Sequence, residues 1–194
     1  LLSETNHTQQ EGLYSNKARD LIRNHINNVS ADIHFVTGGT QANQIVISSA
    51  LKSYESVIAA TTGHINVHKA GAIEATGHKI NTVQSKDGKV KIEAVQAVLD
   101  EHVIIPHMVK PKMIYISDST ETGTVYKKNE PEKLSQFCKE NDIYLFLDGA
   151  RLGAALTSQE NDLEYWDLLS LINCIYCFKT FSIILLLPLS ILIK

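Results

Sequence analysis

Four short polar stations, each directly after an apolar run, hold the residue types that could do chemistry. The first is Thr37-Gly38-Gly39-Thr40-Gln41-Ala42-Asn43. Paired glycines let the backbone approach a ligand, and a helix starting there offers free N–H groups to an anion, with the Thr40 hydroxyl as a further donor. The spacing is not that of a P-loop, whose lysine is absent. A Gly-rich tight turn is the alternative. The second station, Thr62-Gly63-His64-Ile65-Asn66-Val67-His68, sets two histidines four apart, which on a helix places both on one face. Such a pair can begin a zinc site, yet no HExxH glutamate and no third ligand lie nearby in sequence, so no metal is expected. A capping histidine and a flat ring for a cofactor to stack on are the other readings. The third, Ser117-Asp118-Ser119-Thr120-Glu121-Thr122-Gly123-Thr124, reads as a solvated loop or as one wall of a site. The fourth, Leu145-Phe146-Leu147-Asp148-Gly149-Ala150-Arg151, puts a carboxylate at the end of an apolar run, where it is costly unless bonded or paired. An acid so placed suits a pyridinium nitrogen, and Arg151 suits a substrate carboxylate. In the competing reading Asp148 caps the next turn and pairs with Arg151.

The elements that must position these stations alternate regularly. Helical spacing is read over residues 15–28, from Ala42 to Ala50, over 67–76 up to Gly77, from Ile92 to Leu99, and after Pro131, which suits a helix first turn. Short β-rich runs fall at 34–37, 57–60, 80–83, 113–117 and 144–147. Buried strands alternating with amphipathic helices predict an α/β three-layer domain with a mostly parallel sheet, whose chemistry gathers at the carboxyl ends of the strands.

Composition narrows the rest. The 194 residues are 44% hydrophobic and 20% charged, which argues for a globular chain and against disorder. Net charge is -3 with the signs well mixed, so no nucleic-acid partner is expected. Three cysteines make no disulfide framework and point to a reducing cytoplasm. No signal peptide is read at the start, and the chain opens on Leu1 rather than Met, as if its beginning were absent.

Taken together, HFVTGGTQANQIVI, IAATTGHINVHKAGAIEATGH, VKPKMIYISDSTETGTVY and NDIYLFLDGARLGAALTSQENDL resemble, in order and spacing, the threonine aldolase and aromatic amino acid β-eliminating lyase group. These are fold-type-I enzymes that use pyridoxal 5'-phosphate. The resemblance covers residues 1–166 and implies the large α/β/α domain of such an enzyme, incomplete. It implies that Gly39 and Thr40 hold the cofactor phosphate and that His64 stacks on the ring. Asp148 would pair with the pyridine nitrogen, and Arg151 would bind the substrate carboxylate or the cofactor's phenolate side. The implied reaction is cleavage of a β-hydroxy amino acid, threonine to glycine and acetaldehyde, in a homo-oligomeric family.

Residues 167–194 depart from the family pattern and are read as a divergent apolar tail, outside the family fold. Relatives carry a YIGGTKNG strand whose lysine forms the Schiff base. Here Tyr176 aligns with the tyrosine, Gly-Gly-Thr is absent, and Lys179 arrives two positions early. A truncation or frameshift, and a chain that binds cofactor or a partner subunit without turnover, is the alternative this implies. The run over 181–193 contains Pro188 and is too short for a membrane span, and Cys174-x-x-Cys177 lacks a partner pair. Lys69 stands where relatives usually have an acid.

Overall fold

Apolar side chains on both faces of the central strands require cover on both sides, and two layers of helices supply it. The computed structural model describes residues 5–104, 106–164, 167, 168, 171, 174–178 and 182–186. Its strands are β1 (Asp32–Val36), β2 (Glu55–Ala60), β3 (Ile80–Val83), β4 (Lys110–Ser117), β5 (Tyr144–Gly149), β6 (Cys174–Phe178) and β7 (Ser182–Leu186). Its helices are α1 (Thr5–His25), α2 (Gly39–Ala50), α3 (His64–Val67), α4 (Ile92–Glu101), α5 (Asn129–Glu140) and α6 (Leu152–Leu156), with a 3₁₀ turn at Glu74–Thr76. The strands form one sheet in the order β1-β7-β6-β5-β4-β2-β3. Neighbours from β6 through β3 pair in parallel, and β7 runs antiparallel to both β6 and β1.

The pleat sorts the core into two layers. Val57, Ala59, Met113, Tyr115 and Phe146 face α2, packing on Ala42, Val46 and Ile47. Their neighbours Ile58, Ile114, Ile116, Leu145 and Leu147 face the other way, onto Val95, Val98, Leu134 and Cys138 of α4 and α5. The expected α/β/α sandwich with a mostly parallel sheet is therefore what forms. A smaller cluster, Ile26, Ala31 and Ile33 with Ile22 and Phe35, seats the end of α1 beside β1.

Several expectations differ in extent, and the helix read over 15–28 is the longer α1, which starts at Thr5 and ends at His25. The stretch read as one helix over 67–76 is broken: α3 ends at Val67, Ala70 and Gly71 take left-handed backbone (φ 47° and 74°), and a 3₁₀ turn follows. Gly77 closes that turn at φ 85°, as its position suggested. The segment after residue 166, read as a divergent tail, carries β6 and β7, which sit between β5 and β1 in the sheet. Lys179 and the apolar run from 187 onward lie outside the described residues.

One turn ties the sheet's active end together. Gly88 has φ 76°, and a Cβ there would meet Thr122 Oγ1 at 2.8 Å and Thr120 Cβ at 3.0 Å. The hydroxyls of Thr120, Thr122 and Thr124 all donate to the Asp87 carbonyl, which pins the loop after β4 onto this turn. Gly88→Ala combines left-handed strain with a steric clash, so it is expected to cost about 2 kcal/mol, read as a lower melting temperature.

Candidate active site

The carboxyl ends of β2, β4, β5 and β6 lie along one edge of the sheet because these strands run in parallel. Three of the four stations follow three of these strands: α3 follows β2, the Ser117–Thr124 loop follows β4, and Asp148 with Arg151 closes β5. The first station follows β1 and opens α2.

Asp148 shares the α2 side of the sheet with Phe146, two residues earlier, and it is 4% exposed. Its Oδ2 accepts the Tyr115 hydroxyl at 2.7 Å and Asn43 Nδ2 at 3.3 Å, and its Oδ1 accepts the Ala150 amide at 3.1 Å. Burial, and then the charge of Asp148, push the Tyr115 phenol well above its ordinary range, so it stays a donor. Asp148 does cap the following turn, but it does not pair with Arg151. No cation lies within ion-pair distance of Asp148 among the described residues.

Arg151 turns to the loop after β4 instead. Its Nε donates to the Ser119 carbonyl at 3.1 Å and its Nη2 to Glu121 Oε1 at 2.7 Å. The same Oε1 accepts Ser117 Oγ at 3.0 Å. His64, His68, Ser119, Thr120, Glu121, Gly123 and Arg151 line a cleft of ≈ 430 Å³.

His64 and His68 meet with ring centroids 4.9 Å apart, tilted by 42°. No group of three or more His, Cys, Asp or Glu is arranged to hold a metal among the described residues. Nδ1 of His64 is buried without a hydrogen bond, and Glu121 Oε1, at 4.0 Å, is too far to provide one. The His64 pKa is lowered, first by burial and then by the positive charge of Lys69, while Asp148 and Glu121 pull it up. Lys69 is itself buried, which lowers its own pKa against the pull of Asp148 and Glu121. Lys69→Gln is expected to raise the His64 pKa toward its ordinary value, a shift that NMR titration of the ring protons reads directly.

Gly39 and Thr40 open α2, so the amides of Gly39, Thr40 and Gln41 have no intrahelical acceptor and point out of the helix end. Asn43, one turn further along α2, is the residue that touches Asp148, which sets this helix end beside the carboxylate.

The β-eliminating lyase family model matches residues 15–171. The chain belongs to that family. A low specificity L-threonine aldolase of Pseudomonas sp. is 36% identical over 126 residues, covering 64% of this chain and 36% of the relative. A second, from Pseudomonas aeruginosa, is 32% identical over the same length and the same shares. Among solved structures, the threonine aldolase of Leishmania major superposes with a TM-score of 0.84 at 45% identity, covering 88% of this chain and 52% of that one. The chain thus spans about a third of the length of these curated relatives and about half of the solved one.

Within this β-eliminating lyase chain, the structure brings His64, Asp148 and Arg151 to one sheet edge, with Gly39 and Thr40 one helical turn from Asp148's partner. Asn43 and Glu121 lie in two of the stations but carry no assigned role in the sequence reading, and Tyr115 lies in none of the stations. Asn43 carries a legible signal, being the one polar side chain among Ala42, Val46 and Ile47 on the buried face of α2. Tyr115 carries none, since an aromatic in an apolar strand reads as core.

Proposed function

We propose that this chain is the large-domain part of a threonine-aldolase-like lyase, which uses pyridoxal phosphate to cleave a β-hydroxy amino acid, threonine to glycine and acetaldehyde. Members of the family depend on this cofactor. The observation that carries the reading is Asp148. A buried carboxylate held by Tyr115 and Asn43, with no cation in ion-pair distance among the described residues, needs a counter-charge. The protonated ring nitrogen of the cofactor fits that need.

The remaining residues fit the same group. Gly39 and Thr40 would hold the phosphate at the α2 N-terminus, where unpaired amides and the helix dipole favour an anion. His64 would lie against the ring, its lowered pKa keeping it uncharged at neutral pH. Arg151 would take the substrate carboxylate or the phenolate side. When bound, the cofactor supplies an electron sink for charge developed at the substrate α-carbon. Asp148 would sustain that sink by holding a proton on the ring nitrogen.

The cofactor-bonding lysine decides turnover: the family's lysine motif is missing, which puts activity in doubt, and Lys179 is the candidate the sequence supplies in its place. β6 runs parallel to β5, with Tyr176 opposite Asp148 and Cys177 opposite Gly149. β6 therefore ends on the same sheet edge as Asp148, and Lys179 follows it in sequence, itself outside the described residues. A second reading, a chain that binds cofactor or a partner subunit without turnover, is favoured by the missing Gly-Gly-Thr before that lysine. Incubation with pyridoxal phosphate and L-threonine separates the two. Glycine and acetaldehyde formed together support the lyase, whereas saturable cofactor binding without either product supports the second reading.

A cytoplasmic setting and self-association complete the proposal. The first is supported by three cysteines that make no disulfide framework in a chain of this length. The second is supported by exposed Leu13, Tyr14 and Leu21 along α1. Among the described residues no helix is long and apolar enough to cross a membrane. The division at 166/167 is kept as a change of sequence character.

A further inference from the structure

Glu121 stands in the cleft wall, only 11% exposed in its side chain, and the roles assigned above do not use it. Its Oε1 receives Arg151 Nη2 at 2.7 Å and Ser117 Oγ at 3.0 Å, so the carboxylate is itself anchored to the end of β4. Arg151 Nε is fixed separately on the Ser119 carbonyl. The guanidinium is therefore held along its side edge, Nε and Nη2. Its end edge, Nη1 with the second hydrogen of Nη2, has no partner among the described residues. That edge remains free to hold a carboxylate through two parallel bonds. The same Glu121 oxygen lies 4.0 Å from His64 Nδ1, which puts a negative charge in the cleft wall between His64 and Arg151. Lys69 and Arg151 are the opposing charges around it, with His68 beside His64.

We propose that Glu121 is a positioning residue that presents the end edge of Arg151 to a ligand carboxylate and selects for amino acids whose side chain carries no second carboxylate. The proposal rests on reading Arg151 as the carboxylate clamp.

The test is the rate at which phenylglyoxal modifies Arg151 in the full chain with pyridoxal phosphate added, read by peptide mass mapping, with L-threonine or L-aspartate as protectant. In the unaltered chain Arg151 reacts slowly, and threonine protects at a concentration at least tenfold below aspartate. In Glu121→Gln, Arg151 reacts several-fold faster and the preference for threonine over aspartate falls to near unity. An unchanged rate with an unchanged order of protectants overturns the proposal. Ser117→Ala, which removes one anchor of Glu121, gives an intermediate rate and serves if Glu121→Gln does not fold. A cofactor absorbance titration on the same samples separates the two claims. If the cofactor fails to bind while the Arg151 rate still rises in Glu121→Gln, the cofactor reading fails and the positioning role stands.

Discussion

Asp148→Asn is expected to weaken pyridoxal phosphate binding by roughly 10²- to 10⁴-fold, the equivalent of about 3–5 kcal/mol for removing one partner of a buried charge pair. The amide keeps the shape of the carboxylate and can still accept the Tyr115 hydroxyl and Asn43, but it turns an NH2 group toward the Ala150 amide, so the loss combines the charge with that one bond. Tyr115→Phe removes one neutral donor from the same oxygen, and the expected loss is smaller, about 1–2 kcal/mol. The order of these two effects matters more than their size. An absorbance titration that found Tyr115→Phe the more damaging change would assign the binding energy to the hydrogen-bond network instead of to the carboxylate charge.

The second large effect concerns stability. Asp118, just past β4, is 1% exposed; its Oδ1 accepts the Tyr126 amide at 3.3 Å, and its Oδ2 has no partner. Burial raises its pKa to about 6 against the favourable Tyr126 bond and the charge of Lys89. A carboxyl whose folded-state pKa is raised prefers to be protonated in the folded chain. Its contribution is therefore neutral below the unfolded value near 4, and stability is lost as pH rises from there through about 6. The full loss is about 3 kcal/mol. Asp118→Asn removes the cost of ionisation but leaves an amide where Oδ2 had no partner, for a net gain of about 1–2 kcal/mol at pH 7.5. At pH 4 the variant should show no such gain. Chemical denaturation at the two pH values checks this, and an equal shift at both would refute the pH argument.

Much of the frame was legible because it depends on local patterning. The apolar runs at 57–60, 113–117 and 144–147 announce strands buried on both faces, and the expected sheet edge is where His64, Asp148 and Arg151 converge. The partners of those residues were harder to read, because they are set by long-range register. Nothing in the sequence near Asp148 says that Tyr115 lies across the sheet from Phe146, or that α2 brings Asn43 down onto the carboxylate. Charge pairing shows the same limit: Asp148 and Arg151, three apart, invited a local pair, yet the guanidinium is taken by Glu121 from thirty residues away. The break in the helix read over 67–76 comes from Ala70 and Gly71, whose left-handed backbone no helical spacing reveals. The tail over 167–194 drew attention by its composition, which says nothing about the strand order that seats β6 and β7 between β5 and β1.

The central claim is that the cleft beside Asp148 receives pyridoxal phosphate and that Lys179, not the buried Lys69 beside His64, bonds it. Adding the cofactor to purified protein, reducing with borohydride and mapping the labelled peptides tests this most directly. The account predicts a single dominant label, on Lys179, that disappears in Asp148→Asn. Label spread over many lysines and indifferent to Asp148→Asn, or no label at all, would contradict it.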